Sequence, residues 1–301
     1  MPTLELLAPA KINLGLRIVG LREGCYHELE SLFLPLELAD RIRIGVEPGE
    51  AGAVELALEG ADSEVPGGAE NLAARAASAF QRVSGLAAHI RIGLQKAIPA
   101  SAGLGGGSSD AGAVLRGLSE LYPGAVQGLA DLALELGADV PFFLDPHPAR
   151  VGGIGEEIEL VEELPALSVV LLLPETRLAT AAVYSAWDAS GAALTPPAAD
   201  STMPVLFTLQ RLQTDAGRIS VEEWAEALRN DLEPAAVALC PGITGLSRRM
   251  REIGAVAVGM SGSGPTVFGL FENESQAEKA ERELGSAGRE RVFRTRTVDS
   301  S

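Results

Sequence analysis

Apolar residues alternate with polar or small residues in the first third of the chain. This two-residue period is typical of strands that bury one face. It predicts strands that include residues 14–18, 42–46 and 90–94. A helical period begins after Asn71, a residue type that caps helices, and ends at Gly85. A second helix is expected to follow Ser108, and both helices would cover one face of the sheet.

The second half of the chain mixes strand and helix patterns. An apolar run predicts a fully buried strand over residues 167–173, followed by a helix over 175–187. Residues 189–204 have no period and are rich in Ala, Ser, Thr and Pro, which is typical of a loop. Nearer the end we expect strands at 255–260, 266–271 and 291–298, with a helix capped by Ser275. These elements predict an α+β fold.

The composition is that of a folded protein with a large core. Of the 301 residues 47% are apolar and 22% are charged, and this length favours two domains. The net charge of −17 argues against nucleic acid and membrane surfaces as partners. No apolar run approaches the roughly 20 residues that span a bilayer, and the first residues lack the pattern of a secretory signal, so a cytoplasmic location is expected. Cys25 and Cys240 form no zinc motif with the histidines, so no metal site is predicted.

The segment 99–110 is rich in glycine and lies between a predicted strand and a predicted helix. Its glycines allow backbone N–H groups to approach a ligand closely, and the helix directs the positive end of its dipole to the same place. Both features favour a bound phosphate group. The alternative is a flexible turn in which Ser108 only caps the helix. The lysine of a Walker loop and the third glycine of a dinucleotide loop are missing, which predicts a phosphate site of another type.

Three other segments carry residues that could act with a phosphate site. Lys11 interrupts an apolar strand pattern, where it could hold developing negative charge or could lie at a strand edge with its ammonium group in water. Asp139 follows a helical segment and could accept the proton of a hydroxyl group or could cap the turn. The segment 260–266 has glycines between two predicted strands, so it could form a hairpin or a second clamp beside the first loop.

In this order, the segments resemble the GHMP small-molecule kinases, the superfamily of galactokinase, homoserine kinase and mevalonate kinase. The motifs that carry the resemblance are Pro9-Ala-Lys11-Ile-Asn13-Leu, Tyr26-His27-Glu28-Leu, Gly103-Leu-Gly-Gly-Gly-Ser-Ser-Asp110, Gly137-Ala-Asp139-Val-Pro-Phe142, Asn230-Asp-Leu-Glu233 and Ser261-Gly-Ser-Gly264. The resemblance implies a ribosomal-protein-S5-domain-2-like amino-terminal domain, which binds ATP, over residues 1–160. It implies a ferredoxin-like carboxy-terminal domain over residues 161–301.

The resemblance also implies a reaction and the residues that perform it. ATP is the expected phosphoryl donor, with Mg²⁺ bound through its phosphates, and the acceptor is an alcohol. Asp139 matches the base of the family, and Lys11 matches its electrostatic partner. The residues expected to bind ATP are Pro99, Ala100, Ser101, Ala102, Gly103, Leu104, Gly105, Gly106, Gly107, Ser108 and Ser109, with Lys96 and Asn71 near the adenosine.

The resemblance further implies an acceptor that carries a cytidine diphosphate group. The ring of Tyr26 can stack on the base, and His27 can read its polar edge. Asn13 and Tyr184 complete the expected substrate contacts. Cys25 stands where related kinases have a glycine, which could rearrange the cytidine loop. Two alternatives stay open at this point, namely a GHMP kinase for another small alcohol and a nucleotide-binding sensor without catalysis.

Overall fold

In a computed structural model of the protein, the described residues are 3–22, 26–49, 53–60, 65–162, 164, 166–194, 227–287 and 290–298. The chain divides into two compact units, each built from several segments. Unit 1 comprises Met1–Ala10, Leu38–Ala100 and Gly105–Pro146, and unit 2 comprises Lys11–Glu37, Ser101–Leu104 and His147–Ser301. Two long strands that pair with each other, β1 (Thr3–Arg22) and β2 (Tyr26–Pro48), contribute residues to both units. The domain boundary at residue 160 stays a prediction.

Unit 1 packs helices on a sheet. The strand β3 (Ala53–Glu59) runs parallel to β4 (Ala88–Gln95), and β4 runs antiparallel to β2, with Ile92 opposite Ile44. The helices are α1 (Leu72–Ser84), α2 (Gly106–Leu121) and α3 (Leu129–Leu136), and two short 3-10 helices cover Gly68–Glu70 and Pro141–Leu144. The alternating residues of β2 and β4 form one core with the apolar faces of the helices, including Ile90, Leu94, Phe80, Val114 and Leu118.

The ends of α1 follow the sequence prediction. Asn71 accepts a hydrogen bond from the backbone N–H of Ala73 at 2.9 Å, and Gly85 adopts the left-handed conformation with φ of 70°. An Asn side chain satisfies one of the N–H groups that every helix leaves unpaired at its start, and a glycine tolerates positive φ without a Cβ clash. Both helix-boundary residues named from the sequence are therefore confirmed.

The start of α2 differs from the prediction. The helix begins at Gly106, two residues before Ser108, with Gly105 as its N-cap. The physical reason is that the backbone N–H of Ser109 already bonds the carbonyl of Gly105, at 2.8 Å, so both serines lie in the first turn. Farther along α2, a Cβ on Gly112 would lie 2.5 Å from Cβ of Phe143. Gly112 therefore permits close packing, which offsets its low helix propensity.

Unit 2 contains a four-stranded antiparallel sheet with the strand order β10-β7-β9-β8. Its strands are β7 (Ser168–Leu173), β8 (Ala257–Met260), β9 (Val267–Phe271) and β10 (Arg291–Arg296), and its helices are α4 (Thr180–Ala189), α5 (Glu233–Leu239), α6 (Gly242–Glu252) and α7 (Glu274–Ala287). A strand, helices, a hairpin, a helix and a last strand in this order form the ferredoxin-like arrangement. The expected α+β fold is therefore confirmed. Two further strands, β5 (Ala149–Gly152) and β6 (Glu157–Leu160), extend from the Ser31–Phe33 part of β2.

Three details of unit 2 correct the prediction. The helix expected at 175–187 begins at Thr180, because Leu178 is already buried in the core while Ala179 is still extended. The cap of α7 is Asn273, whose Oδ1 accepts from the N–H of Gln276 at 3.0 Å, and not Ser275. Residues 195–204 of the expected loop lie outside the described residues. No helix among the described residues is long and apolar enough to cross a membrane.

Candidate functional site

The glycine loop contacts the second glycine segment within unit 2. Thr266 Oγ1 donates to the carbonyl of Ala102 at 2.6 Å, and Ser261 Oγ donates to the carbonyl of Gly103 at 2.9 Å. Gly103 has a φ of 74°, and a Cβ there would overlap the carbonyl oxygen of Ser261. Only glycine fits this close approach of two backbones. The turn between β8 and β9 is thus a hairpin that also contacts the glycine loop.

Lys11 lies inside unit 2 and not at a solvated strand edge. Its side chain is 3% exposed, and Nζ donates to Asn13 Oδ1 at 2.6 Å. The ammonium also lies 4.2 Å from the centre of the Phe33 ring. Asn13 Nδ2 donates to Ser31 Oγ at 3.0 Å, which holds the amide in place. The alternative with the ammonium in water is therefore wrong, and these contacts hold the Lys11 side chain in place.

The position of Lys11 is tied to the glycine loop through the backbone. The N–H of Lys11 bonds the carbonyl of Leu104 at 3.0 Å. A Cβ on Gly262 would lie 3.3 Å from Asn13 Oδ1, so the second glycine segment reaches the partner of Lys11. These contacts bring Lys11, Asn13 and the residues Ser101–Leu104 of the predicted ATP-binding loop together within unit 2.

Asn230 shapes the second glycine segment. Its Nδ2 donates to the carbonyls of Met260 at 2.9 Å and of Gly262 at 2.8 Å. The side chain is buried and also accepts the N–H of Leu232 at 2.9 Å. A buried amide with all of these bonds fixes the turn, because leaving any of them unmade would cost desolvation energy.

The first turn of α2, in unit 1, suits an anion. The N-cap Gly105 has a φ of 72° and offers no side chain to bond the first N–H groups of the helix. The Ser109 hydroxyl is buried and has no hydrogen-bond partner within the described part of the chain. Uncapped N–H groups and the positive end of the helix dipole attract phosphate oxygens. The alternative in which Ser108 caps the helix is wrong, since Ser108 lies within it.

Lys96 pairs with two carboxylates in unit 1. Its Nζ donates to Asp110 Oδ2 at 2.6 Å and also bonds Asp40 Oδ2. Burial raises the pKa of Asp110 to about 8, and repulsion from Asp40 adds to this effect while Lys96 opposes it. Burial disfavours the ammonium of Lys96, but Asp110 and Asp40 outweigh it and raise the pKa of Lys96. Asn71, the other residue expected near the adenosine, is buried as the cap of α1.

Asp139 stands in a half-buried turn of unit 1 between α3 and the 3-10 helix Pro141–Leu144. The N–H of Val140 bonds the carbonyl of Gly137 at 3.1 Å, which closes this turn. Phe142 and Phe143 follow as fully buried residues whose ring centres are 5.0 Å apart. The turn is therefore held in place by packing on the core. This fixes the backbone position from which the carboxylate of Asp139 extends.

His27 and Tyr184 lie together in unit 2. Their ring centres are 4.8 Å apart, and the ring of Trp187 meets His27 edge-on at 5.3 Å. His27 Nε2 lies 2.7 Å from Asp188 Oδ1. Tyr26 is 61% exposed, so its side chain is accessible to a ligand. Gly24 and Cys25 lie outside the described residues.

The fold and the motifs converge on one family. The model of the GHMP kinases N terminal domain matches residues 71–145, and the model of the GHMP kinases C terminal domain matches residues 212–290. The chain belongs to the GHMP kinases, a family of ATP-dependent small-molecule kinases, and the resemblance found in its motifs is confirmed.

Particular relatives are similar along almost the whole chain. A 4-diphosphocytidyl-2-C-methyl-D-erythritol kinase of Thermus thermophilus is 42% identical over 95% of this chain and 94% of its own. The enzyme of the same name from Citrifermentans bemidjiense is 39% identical over 95% of this chain and 96% of its own. A crystal structure of 4-(cytidine 5'-diphospho)-2C-methyl-D-erythritol kinase superposes with a TM-score of 0.77 at 40% identity, and covers 98% of this chain and 100% of that one.

Sequence reasoning missed several residues that build these sites. Asp40 and Asp188 belong to no motif, and the bonds they make cross 56 and 161 residues of sequence. Asp110 and Asn230 belong to quoted motifs but received no role. The sequence signal that could have found them is a carboxylate or an amide at a position predicted to be buried, since buried polar groups need hydrogen-bond partners.

Proposed function

We propose that the protein transfers the γ-phosphoryl group of ATP to the 2-hydroxyl group of 4-diphosphocytidyl-2-C-methyl-D-erythritol and releases ADP. This reaction is a step of the non-mevalonate route to isoprenoid precursors. The observation that carries the proposal is the 35–42% identity, over most of the chain, to curated relatives that bear the name of this kinase. We place the reaction in the cytoplasm.

The donor site of the proposal is the loop 99–109 with the start of α2. The uncapped first turn of the helix and the unpaired hydroxyl of Ser109 support a site for phosphate oxygens. Ser101 adds a second sign of function, because it has a φ of 50° without being a glycine. Such backbone strain is concentrated at ligand sites. Asn71 is assigned to the adenosine side of ATP.

The transfer needs a base and a positive charge. The acceptor oxygen forms a new bond to the γ-phosphorus, while the bond from that phosphorus to the bridging oxygen of ADP breaks. Asp139 takes the hydroxyl proton, and Lys11 stabilises the negative charge on the reacting oxygens. The burial of Lys11 supports this role, since an ammonium acts more strongly away from water. No covalent phospho-enzyme forms in this scheme.

The acceptor site of the proposal is built on the start of β2 and on α4. The exposed ring of Tyr26 stacks on the cytosine, and His27 with Tyr184 contacts its edge and its other face. Asn13, which accepts a hydrogen bond from Lys11, orients the reacting end of the acceptor beside that lysine.

Mg²⁺ accompanies the ATP phosphates in this proposal. Within the described ranges, no group of three or more His, Cys, Asp or Glu side chains could hold a metal ion. Because Mg²⁺ prefers carboxylate ligands and water, the donor set of these residues does not fit a cage made by the protein alone. No step of the transfer is assigned to the ion.

A panel of acceptors with labelled ATP tests the proposal. We expect the cytidine diphosphate compound to be used with a kcat/KM at least about a hundredfold above that of mevalonate or homoserine, because only the first can fill the base site. Lys11→Met serves as the inactive control. Transfer to mevalonate or homoserine in its place would establish another alcohol as the acceptor. ATP binding without transfer to any acceptor would establish a nucleotide sensor.

A further inference from the structure

Three titratable side chains are buried together in unit 1, away from solvent. The side chains of Asp40, Asp110 and Lys96 are 0%, 3% and 6% exposed. Lys96 bonds one oxygen of each carboxylate. A buried ion group is weak support for stability in itself, because desolvation offsets much of the attraction between the charges. The group therefore calls for an explanation other than stability.

The three residues hold the two flanks of the glycine loop. On the first flank, Asp40 Oδ1 accepts the backbone N–H groups of Ala97 at 2.5 Å and Ile98 at 2.9 Å. On the second flank, Asp110 stands in the second turn of α2, and Lys96 bonds it from the end of β4. A Cβ on Gly106 would lie 2.9 Å from Ile98 Cγ2 and 3.6 Å from Lys96 Nζ. Hydrogen bonds of Asp40, Lys96 and Asp110 thus join the segment before the loop to the helix after it.

We propose that Lys96 is a positioning residue for the phosphoryl donor, which acts through Asp40 and Asp110 on the glycine loop and not through contact with the adenosine. The proposal rests on the proposed function, in which that loop and the start of α2 hold the ATP phosphates. It replaces the expectation that Lys96 binds beside the adenosine.

The hydrogen bonds of Lys96 support a role through the loop. Asp40 and Asp110 already accept hydrogen bonds from the ammonium, so turning it toward a nucleotide would leave two buried carboxyl groups without their donor. Such a rearrangement is costly. Asp110 Oδ1 is buried and has no hydrogen-bond partner within the described ranges, so the carboxyl group is held through the oxygen that Lys96 bonds.

The experiment compares four single variants and one double variant by steady-state kinetics and by calorimetric titration with ADP. Lys96→Met and Asp110→Ala each break the tie between the flanks, and Asp110→Asn keeps an oxygen for Lys96. The matched control is Lys279→Met, an exposed lysine of α7. Melting curves set a temperature at which every variant is folded.

We expect Lys96→Met and Asp110→Ala to raise the KM of ATP and the Kd of ADP by about tenfold, the usual effect of one lost charged hydrogen bond, while the KM of the acceptor stays within about twofold. Asp110→Asn should recover most of the loss. In the double variant Lys96→Met/Asp110→Ala, the two effects should not multiply, because both break the same tie.

Three results would overturn the proposal. In the first, Lys96→Met raises the KM of ATP and Asp110→Ala leaves it unchanged. This result means that Lys96 contacts the nucleotide itself. Lower melting temperatures with unchanged KM and Kd mean that the group serves stability alone. Multiplying effects in the double variant mean that the residues act separately. If Lys96→Met does not fold, the Asp110 variants still test the proposal: a raised KM of ATP in Asp110→Ala that Asp110→Asn recovers supports it, and an unchanged KM of ATP in Asp110→Ala overturns it. Absence of transfer by the unmodified protein, with ADP binding intact, would count against the proposed function and not against this inference.

Discussion

His27 and Asp188 are joined by a hydrogen bond of 2.7 Å between Nε2 and Oδ1, although 161 residues separate them in the sequence. Because a carboxylate oxygen accepts, Nε2–H of His27 is the donor and Nδ1 is the ring nitrogen left for a ligand. In the proposed function Nδ1 contacts the edge of the cytosine, and Asp188 fixes which edge of the His27 ring does so.

Replacing Asp188 should weaken acceptor binding. Asp188→Ala frees the ring of His27 to turn, so we expect the KM of the cytidine acceptor to rise about threefold to tenfold while the KM of ATP is unchanged. Asp188→Asn, which keeps an oxygen at the same place, is the conservative control. Steady-state kinetics with each substrate varied in turn measures the effect. Equal KM values for the acceptor in the variant and in the unmodified protein would contradict the role given to this pair.

Replacing Asp139 should abolish most of the turnover without disturbing ATP. Asp139→Asn keeps the shape of the side chain but cannot take a proton, so kcat should fall at least about a hundredfold, the lower scale for a positioned base. Calorimetry with ADP should give the same Kd as before. Unchanged turnover would remove Asp139 from the mechanism.

Gly103 should not tolerate a side chain. Gly103→Ala places a Cβ against the carbonyl oxygens of Ser261 and Gly264 at a φ of 74°, so the loop has to move and the KM of ATP should rise. The matched control is Gly285→Ala in α7, where a Cβ meets no atom and alanine should stabilise the helix by about 0.5–1 kcal/mol. Kinetics and urea unfolding separate the two effects. An ATP KM that Gly103→Ala leaves unchanged would show that the loop does not need this close approach.

Asp110 should make stability depend on pH. Burial raises its pKa from 3.8 to about 8, so between these values the native state binds more protons than the unfolded state. The free energy of unfolding should therefore fall as pH rises through this window. Burial also raises the pKa of Glu233, so its titration likewise lowers the free energy of unfolding as pH rises. This contribution is the same in the unmodified protein and in Asp110→Asn. Asp110→Asn should flatten the profile measured by urea unfolding at several pH values, and a profile as steep as before would contradict the raised pKa.

Local patterns sufficed for much of the fold. The alternation at 90–94 and the cap at Asn71 depend on neighbours in sequence, and both elements form as predicted. The glycine loop was also recognisable, because its close packing needs residues without side chains. The start of α2 was misplaced because Gly105 takes the capping position by its positive φ, which a serine cannot adopt cheaply.

Such local patterns do not predict contacts between segments that are distant in sequence. Nothing near Lys96 in sequence shows that Asp40, 56 residues away, bonds its ammonium. Asn230 fixes a turn 30 residues away by bonds to carbonyl oxygens, which any sequence provides. The burial of Lys11 was equally ambiguous, since a lysine in a strand can lie in water or in the interior. Tertiary packing, and not local propensity, decides each of these cases.

The position of the transferred phosphate tests the central claim most directly. We predict that incubation with ATP and the cytidine diphosphate acceptor yields ADP in equal amount and a product whose phosphorus NMR spectrum shows a new monoester, with carbon coupling that places it on the 2-hydroxyl group. A monoester on another hydroxyl group, or release of ADP without any new monoester, would contradict the account.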